Sequence, residues 1–187
     1  MSTAALQEWS ACCRALGDGR LTLLVRKGGI HERHGGLFVP EQERFWLMPT
    51  HLHQDAGRLK PAFQGDVTPP ATTPGIPIAL WAESMQVWKV TQLARITALG
   101  DELMWTDAEL ATRFAYRDQP WLFVLLLRVH RLAAPVTIPT DPSYAGCRSW
   151  LTLTAPPADP VAAVPVLDDT AFAHRRHRIA AILDPAA

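Results

Sequence analysis

The sequence predicts a single α+β domain, and three observations lead to this fold class. The chain has 187 residues, which is enough to bury one substantial core. Apolar residues make up 48% and charged residues 19%, the balance of a folded globular protein and not of a disordered one. Strand-like and helix-like runs follow one another without regular βαβ alternation, which favours α+β over a doubly wound α/β sheet.

The predicted architecture is a mixed β-sheet with inserted and flanking helices, and we expect the sheet to curl like a small barrel. Residues 1–154 form the α+β domain in this prediction. Residues 155–187 begin with the proline- and alanine-rich run APPADPVAAVPV and continue into DDTAFAHRRHRIAAIL. Acidic residues at the start of this second run and basic residues later suit a helix dipole. We therefore expect a flexible Pro/Ala linker followed by a C-terminal helix.

Three patterns organise the N-terminal part. Apolar residues recur at helical spacing from Leu6 to Leu16, which predicts a helix over 4–16. The β-forming run RLTLLV predicts a strand over 20–26. The glycine-bracketed stretch GGIHERHGG then predicts a turn.

The later elements include the clearest local signal in the chain, WTDAEL. Thr106 as N-cap and Glu109 three residues later form a capping box, which predicts a helix over 107–116. The almost wholly apolar run WLFVLLLRVHRL predicts a central strand covered on both faces. Weaker patterns predict a helix in TQLARITALG and strands in IALWAESMQVWKV and CRSWLTL.

Charge and cysteine content exclude several classes of protein. Lysine plus arginine equals aspartate plus glutamate at 18 each, so no global field draws the chain to nucleic acid or membrane. Locally, residues 20–60 hold seven basic and four acidic side chains, which predicts either a cationic face or a solvated patch. Three cysteines without metal or redox spacing, no signal peptide and no apolar run of roughly 20 residues predict a cytoplasmic protein outside the membrane.

The stretch RKGG, residues 26–29, follows a predicted strand. Arg26 and Lys27 could meet a phosphate while Gly28 and Gly29 allow its close approach, although a basic turn explains the same letters. The spacing of a P-loop is absent. The histidine pairs His31 with His34 and His51 with His53 fit no common metal signature, so we predict neither a metal nor a cofactor.

Catalytic signatures are sparse. No GxSxG motif and no carboxylate and lysine set of a nuclease is present. A hydrolase acting on a phosphorylated or nucleotide substrate stays open as an alternative. In it, Glu32 or His53 would be the general base and Cys147 the nucleophile.

Arginines stand at the ends of the late predicted strands. Arg128, Arg131 and Arg148 lie there together with His130. They could bind phosphate beside Trp46 and Trp150, or they could pair with carboxylates at a sheet edge. The sequence leaves both interpretations open.

Five sequence blocks, in this order, resemble the DUF1802 family of uncharacterised bacterial proteins: EWSACCRALGDGR, LLVRKGGIHE, FWLMPTHLHQ, LLLRVHRL and YAGCRSWLTL. The resemblance covers most of residues 6–154. It implies that the predicted site residues fall in the family's motif blocks. It also implies an association with restriction-endonuclease domains, and hence a role related to DNA. His51 stands where an aromatic residue is usual in the family, which argues against a paired-histidine metal site.

The sequence thus predicts a non-catalytic module that binds nucleic acid or a nucleotide, linked to DNA restriction or modification. A structural subunit that binds a protein partner through the C-terminal helix is a further alternative. The predicted anionic-ligand site consists of Arg26, Lys27, Gly28, Gly29, Glu32, Thr50, His53, Gln54, Arg128, Arg148 and Ser149.

Overall fold

The computed structural model describes residues 3–27, 37–70, 72, 74–146, 148–157 and 163–184. The strands in these ranges are β1 (Ala4–Trp9), β2 (Leu23–Arg26), β3 (Arg44–Thr50), β4 (Ile76–Val90), β5 (Leu122–Ile138), β6 (Trp150–Thr152) and β7 (Val164–Pro165). The α-helices there are α1 (Ser10–Gly17), α2 (Pro61–Gln64), α3 (Leu93–Thr97), α4 (Asp107–Ala115) and α5 (Asp169–Leu183). The α+β class and the C-terminal helix are confirmed.

All seven strands belong to one mixed sheet. Its order is β2-β5-β4-β3-β1-β6, and β7 pairs with β5 beyond β2. The pair β1 and β3 is parallel, whereas the other pairs are antiparallel. The sheet does not close into a barrel, so that expectation is wrong. Closure needs every strand to be paired on both sides, but within the described ranges the short strands β2 and β6 each pair on one side.

Strand β5 is an interior strand, as its apolar run predicts, but it lies next to edge strand β2, and the middle of the sheet is formed by β4 and β3. Residues from Val124 to Leu127 are fully buried, because neighbouring elements cover both faces of the sheet. One side of β5 pairs with β4 along most of its length. The other side pairs with β2 from Phe123 to Leu126 and with β7 at His130 and Arg131.

The predicted helix over 4–16 is wrong in its first part. Residues 4–9 form β1, and the helix starts at Ser10. Strand β1 lies between β3 and β6, so all its residues from Ala5 to Trp9 are buried and show no alternation. A strand that is buried on both faces lacks the period of two that would have revealed it.

One of the two hydrogen bonds of the predicted capping box at α4 is present, and in place of the other the Thr106 amide donates to the Arg58 carbonyl. Thr106 Oγ1 accepts a hydrogen bond from the Glu109 amide at 3.3 Å. The helix ends at Ala115, and Arg117 follows with φ of 58°. The other predicted elements are confirmed with shifted ends: β2, β4, β5, β6 and α3.

Helix α5 packs on the sheet domain. Phe172, Ile179 and Leu183 belong to the same buried cluster as Leu16 and Leu21. The Glu102 carboxylate forms an ion pair with Arg175 at 2.9 Å and accepts a hydrogen bond from Arg178. The division of the chain at residue 154 stays a prediction, but the helix contacts the core of the preceding residues directly. Within the described part of the chain, every helix is too short or too polar to cross a lipid bilayer.

Candidate anionic-ligand site

Arg26 lies at the centre of a polar cluster near one end of the sheet. Its Nη1 donates to Glu8 Oε2 at 2.7 Å, and its Nη2 donates to Ser149 Oγ. The other Glu8 oxygen accepts from the Trp9 amide at 2.8 Å. The Arg26 side chain is 14% exposed and that of Glu8 6%, so water reaches this ion pair poorly. We call Glu8, Arg26 and Ser149 the Arg26 site.

The Arg26 site joins three parts of the fold. Arg26 ends the edge strand β2, Glu8 lies near the end of β1, and Ser149 precedes the other edge strand β6. Phe38 fills the space beside them, because its ring lies 5.3 Å from the Arg26 guanidinium and 5.8 Å from the Trp150 ring. The two edges of the sheet therefore approach each other through side chains although they do not pair.

Gln54 brings the PTHLHQ block to the same end of the sheet. Its Oε1 accepts from the Ala11 amide at 2.9 Å, in the first turn of α1. This turn receives no side-chain cap from its N-cap residue Trp9, so Gln54 satisfies one of its free amides. Thr50 pairs with Trp9 across the parallel strands. Arg26 and Ser149 are thus in direct contact, while Gln54 contacts the first turn of α1, which directly follows Glu8 and Trp9.

A second cluster beside Trp9 was not predicted. Arg58 donates to both oxygens of Glu109, with Nε at 2.8 Å from Oε2, and Arg113 Nε donates to Oε1 at 2.6 Å. Arg58 lies over the Trp9 ring at 5.3 Å, and Arg113 lies over Trp105 at 3.6 Å. We call Arg58, Glu109 and Arg113 the Glu109 cluster. Glu109 and Arg113 have helical spacing, but nothing in the linear sequence connects them with Arg58.

The charges of the two clusters act on each other. Burial raises the pKa of Glu109, but hydrogen bonds from Arg58 and Arg113 outweigh it, so the pKa lies below its ordinary value. Burial lowers the pKa of Arg113, its bond to Glu109 opposes this, and the positive charge of Arg26 lowers it further. The charge of Asp55 also acts on Arg58, so three arginines and three carboxylates lie in this region.

The Lys27 side chain does not contact the Arg26 site and binds backbone carbonyls of the protein instead. It is 4% exposed, and its ammonium donates to the carbonyls of Phe114, Gln119 and Trp121. Burial lowers its pKa, and the nearby charge of Lys89 adds to this. These three acceptors match the three donors of an ammonium group.

Arg128 contacts α5 and not the Arg26 site. Its Nη2 donates to Asp169 Oδ1 at 2.6 Å, its Nη1 donates to the Asp168 carbonyl at 3.3 Å, and its guanidinium lies 4.7 Å from the Phe172 ring centre. The structure therefore does not bring Arg128 together with Arg26.

The other predicted residues divide into two groups. Arg148 and His53 are exposed, and His53 has φ of 58°. With its amide oriented to satisfy both groups, Gln7 donates to the Arg148 carbonyl at 3.0 Å, which fixes the backbone beside Ser149. Gly28, Gly29, Glu32, His31, His34 and Cys147 lie outside the described residues.

Metal and thiol chemistry find little support in the described ranges. These ranges contain no group of three histidine, cysteine, aspartate or glutamate side chains placed to hold a metal ion. Cys12 and Cys13 are buried, and burial raises the pKa of both thiols, with the Glu8 charge adding to it. Neither thiol is a ready nucleophile, because the thiolate is the reactive form.

The fold and the two clusters define a mixed-sheet α+β domain with a partly buried, arginine-rich site. The model of the DUF1802 family, described as a domain of unknown function, matches residues 5–178, and the chain belongs to this family. No curated protein matches the chain.

Among solved structures, the chain is similar to ASCH from Zymomonas mobilis, with 14% identity, 80% of this chain and 86% of that chain covered, and a TM-score of 0.48. Two mutant forms of the same ASCH protein match with 14% identity and TM-scores of 0.47 and 0.48. Each alignment covers 80% of this chain, with 88% and 87% of the respective mutant chains.

Proposed function

We propose that the protein is a non-catalytic module that binds nucleic acid or a nucleotide at the Arg26 site and the adjoining Glu109 cluster. The observation that carries the proposal is that Arg26, Arg58 and Arg113 lie near one another, each held by a carboxylate. Arginine presents a planar fork of donors that suits phosphate, and a fork already held by a carboxylate loses little freedom on binding.

The exposed residues of this region would make the direct contacts. The Arg58 side chain is 38% exposed, and Arg148 is also exposed. These two would bind phosphate, while Thr50 and His53 supply polar contacts to a base or sugar. Arg26 would not touch the ligand but would attract its phosphate as a fixed, mostly buried positive charge held by Glu8.

The proposal narrows the predicted set of contacts. Lys27 and Arg128 use their donors on acceptors of the protein itself, so in this proposal they support the fold. Gly28, Gly29 and Glu32 stay predicted contributors to the site. The link to DNA restriction or modification, which the family resemblance implies, stays part of the proposal.

Fluorescence anisotropy with labelled oligonucleotides tests this function. Single-stranded RNA, single-stranded DNA and duplex DNA of one length would be titrated at about 50 and 200 mM salt, with unlabelled nucleotides as competitors. We expect binding that weakens steeply with salt, because phosphate contacts release counterions. If neither the oligonucleotides nor the nucleotides bind at the lower salt concentration, the proposal is wrong.

Two matched variants test whether nucleic acid binds at this surface. Replacing both Arg58 and Arg148 by Ala should weaken binding at least tenfold and reduce the salt slope by about 2, since each phosphate contact contributes about one. Replacing both Arg117 and Arg176 by Ala removes the same number of charges at exposed positions outside the two clusters and should leave affinity nearly unchanged. Equal losses in the two proteins would contradict the proposed surface.

A further inference from the structure

A groove of about 250 Å³ lies between α1 and the sheet. One wall consists of Ser10, Cys13, Arg14 and Gly17, which recur along one face of α1. The opposite side is formed by residues of β3 and β4, and the register of β4 shifts between Ile78 and Leu80. We call this space the α1 groove.

The floor of the α1 groove is apolar. Leu47 of β3 and Leu80 of β4 pair in register, and Ala79 lies beside them. Gly17 allows α1 to approach this floor closely, because a Cβ atom built there would lie 3.3 Å from Leu80 Cδ1. Pro49 and Pro77 line the groove as well. A space between a helix and a sheet with such a floor suits a flat apolar group.

The rim of the α1 groove carries a positive excess. Arg14 is exposed, and its Nη2 donates to Thr68 Oγ1 at 3.3 Å. Arg131 is 51% exposed and donates through Nη2 to the Gly17 carbonyl. Asp18 is the acidic residue of the lining, and it lies 3.6 Å from Arg131 and 3.8 Å from Arg20, which also pairs with Asp66. Two arginines thus face one carboxylate that is shared.

We propose that the α1 groove binds a small molecule composed of a planar ring and one phosphate group. The ring would lie on Pro49, Pro77 and Ala79, which are less buried than Leu47 and Leu80 beneath them, and the phosphate would contact Arg14 and Arg131. The volume is slightly below the roughly 300 to 1,000 Å³ of pockets for drug-sized ligands, so the ligand is a small one. Apolar lining with a few polar groups that fix orientation is the usual composition of such pockets.

This binding site is separate from the Arg26 site. The polar contacts of Arg14 and Arg131 go to Thr68, Gly17 and Asp18, and not to Glu8, Arg26 or Ser149. Loss of nucleic-acid binding in the variant that lacks Arg58 and Arg148 would therefore leave this second site intact. The two proposals can fail independently.

Isothermal titration calorimetry with three probes tests the chemistry. Phenyl phosphate carries both the ring and the phosphate, benzyl alcohol carries the ring without it, and inorganic phosphate carries no ring. We expect phenyl phosphate to bind at least tenfold more tightly than either of the other two. Equal binding of phenyl phosphate and inorganic phosphate would overturn the proposal, because the apolar floor would then contribute nothing.

Two variants locate the binding. Arg14→Ala should weaken phenyl phosphate binding at least fivefold, and Ala79→Leu should remove it by filling the floor. Arg176→Ala is the matched control and should bind as the unaltered protein does. If Ala79→Leu does not fold, as its thermal unfolding will show, Arg14→Ala decides alone. Unchanged binding in Arg14→Ala and in folded Ala79→Leu contradicts the site.

Adenosine monophosphate distinguishes two sources of the ligand. Binding tighter than that of phenyl phosphate identifies a nucleotide, and weaker binding identifies a smaller aromatic phosphate. In both cases the proposal is supported only if adenosine monophosphate competes with phenyl phosphate for binding to the protein. Binding of both compounds without competition contradicts it.

Discussion

The guanidinium of Arg26, at the end of edge strand β2, donates to the hydroxyl of Ser149, which precedes the opposite edge strand β6. The same guanidinium forms a buried ion pair with Glu8 of β1. The Arg26 side chain therefore connects edge strand β2 with β1 and with the residue before β6, which lie at or next to the opposite edge of the open sheet. Stability and the proposed binding both depend on this arrangement.

Glu8→Gln should lower the free energy of unfolding by about 3 kcal/mol. The change leaves the Arg26 charge poorly compensated in a buried place, which is the costly way to break a buried pair. Urea unfolding followed by tryptophan fluorescence measures it. Glu43→Gln makes the same change at an exposed glutamate and should cost less than about 0.5 kcal/mol. Similar losses in the two variants would show that Glu8 is not specially important.

Lys27→Met should also destabilise the protein, by about 3 kcal/mol. Methionine keeps an apolar stem but leaves the carbonyls of Phe114, Gln119 and Trp121 without their common donor. Chemical denaturation gives the value. Lys89→Met is the matched control, because Lys89 is exposed and lies over the same Trp121 ring at 4.5 Å. A stable Lys27→Met protein with weakened oligonucleotide binding would instead return Lys27 to the ligand contacts.

Acid should weaken the fold partly through Glu109. Its pKa in the folded protein is below the ordinary 4.5, so the unfolded chain takes up its proton first as the pH falls. The stability contributed by Glu109 is complete above pH 4.5 and is lost as the pH falls through the lower, folded pKa. Unfolding free energies at pH 7 and pH 3.5 should therefore differ less in Glu109→Gln than in the unaltered protein. Equal differences would mean that Glu109 does not couple folding to protons.

Ile179→Ala should cost about 3 kcal/mol, because it deletes a fully buried side chain of α5 from the main core. Thermal and urea unfolding should each show a single transition at a lower midpoint. His177→Ala, an exposed position of the same helix, should have little effect. A separate early transition that leaves the rest of the protein folded would indicate that α5 is an independent appendage.

Local signals predicted local structure well. The capping box at Thr106 identified α4, and the apolar run identified β5, because both patterns consist of residues that are close in sequence. The same reasoning failed for residues 4–9. There Leu6 and Trp9 continue the helical spacing of α1 by chance, and burial of β1 on both faces hides its alternation.

The candidate site could be predicted only in part. The motif blocks singled out Arg26 and Ser149, which are in contact, and Gln54, which binds the first turn of α1. Glu109 shows what the sequence could not predict. Its amide donates to Thr106 as the capping box predicts, but the ion pair of its carboxylate with Arg58 was not predicted. That ion pair depends on Arg58, which only tertiary packing brings near. Lys27 and Arg128 looked like phosphate ligands for the same reason, since their acceptors come from distant segments.

The position of β1 has a consequence for synthesis. Ala5 pairs with Trp46 on one side and with Leu151 on the other, so β1 is translated long before one of its two partners. Pairings this distant give a high contact order and slow folding. On the ribosome, β1 and β3 can associate before β6 has emerged. We therefore expect the edge of β1 that receives β6 to stay unpaired until then.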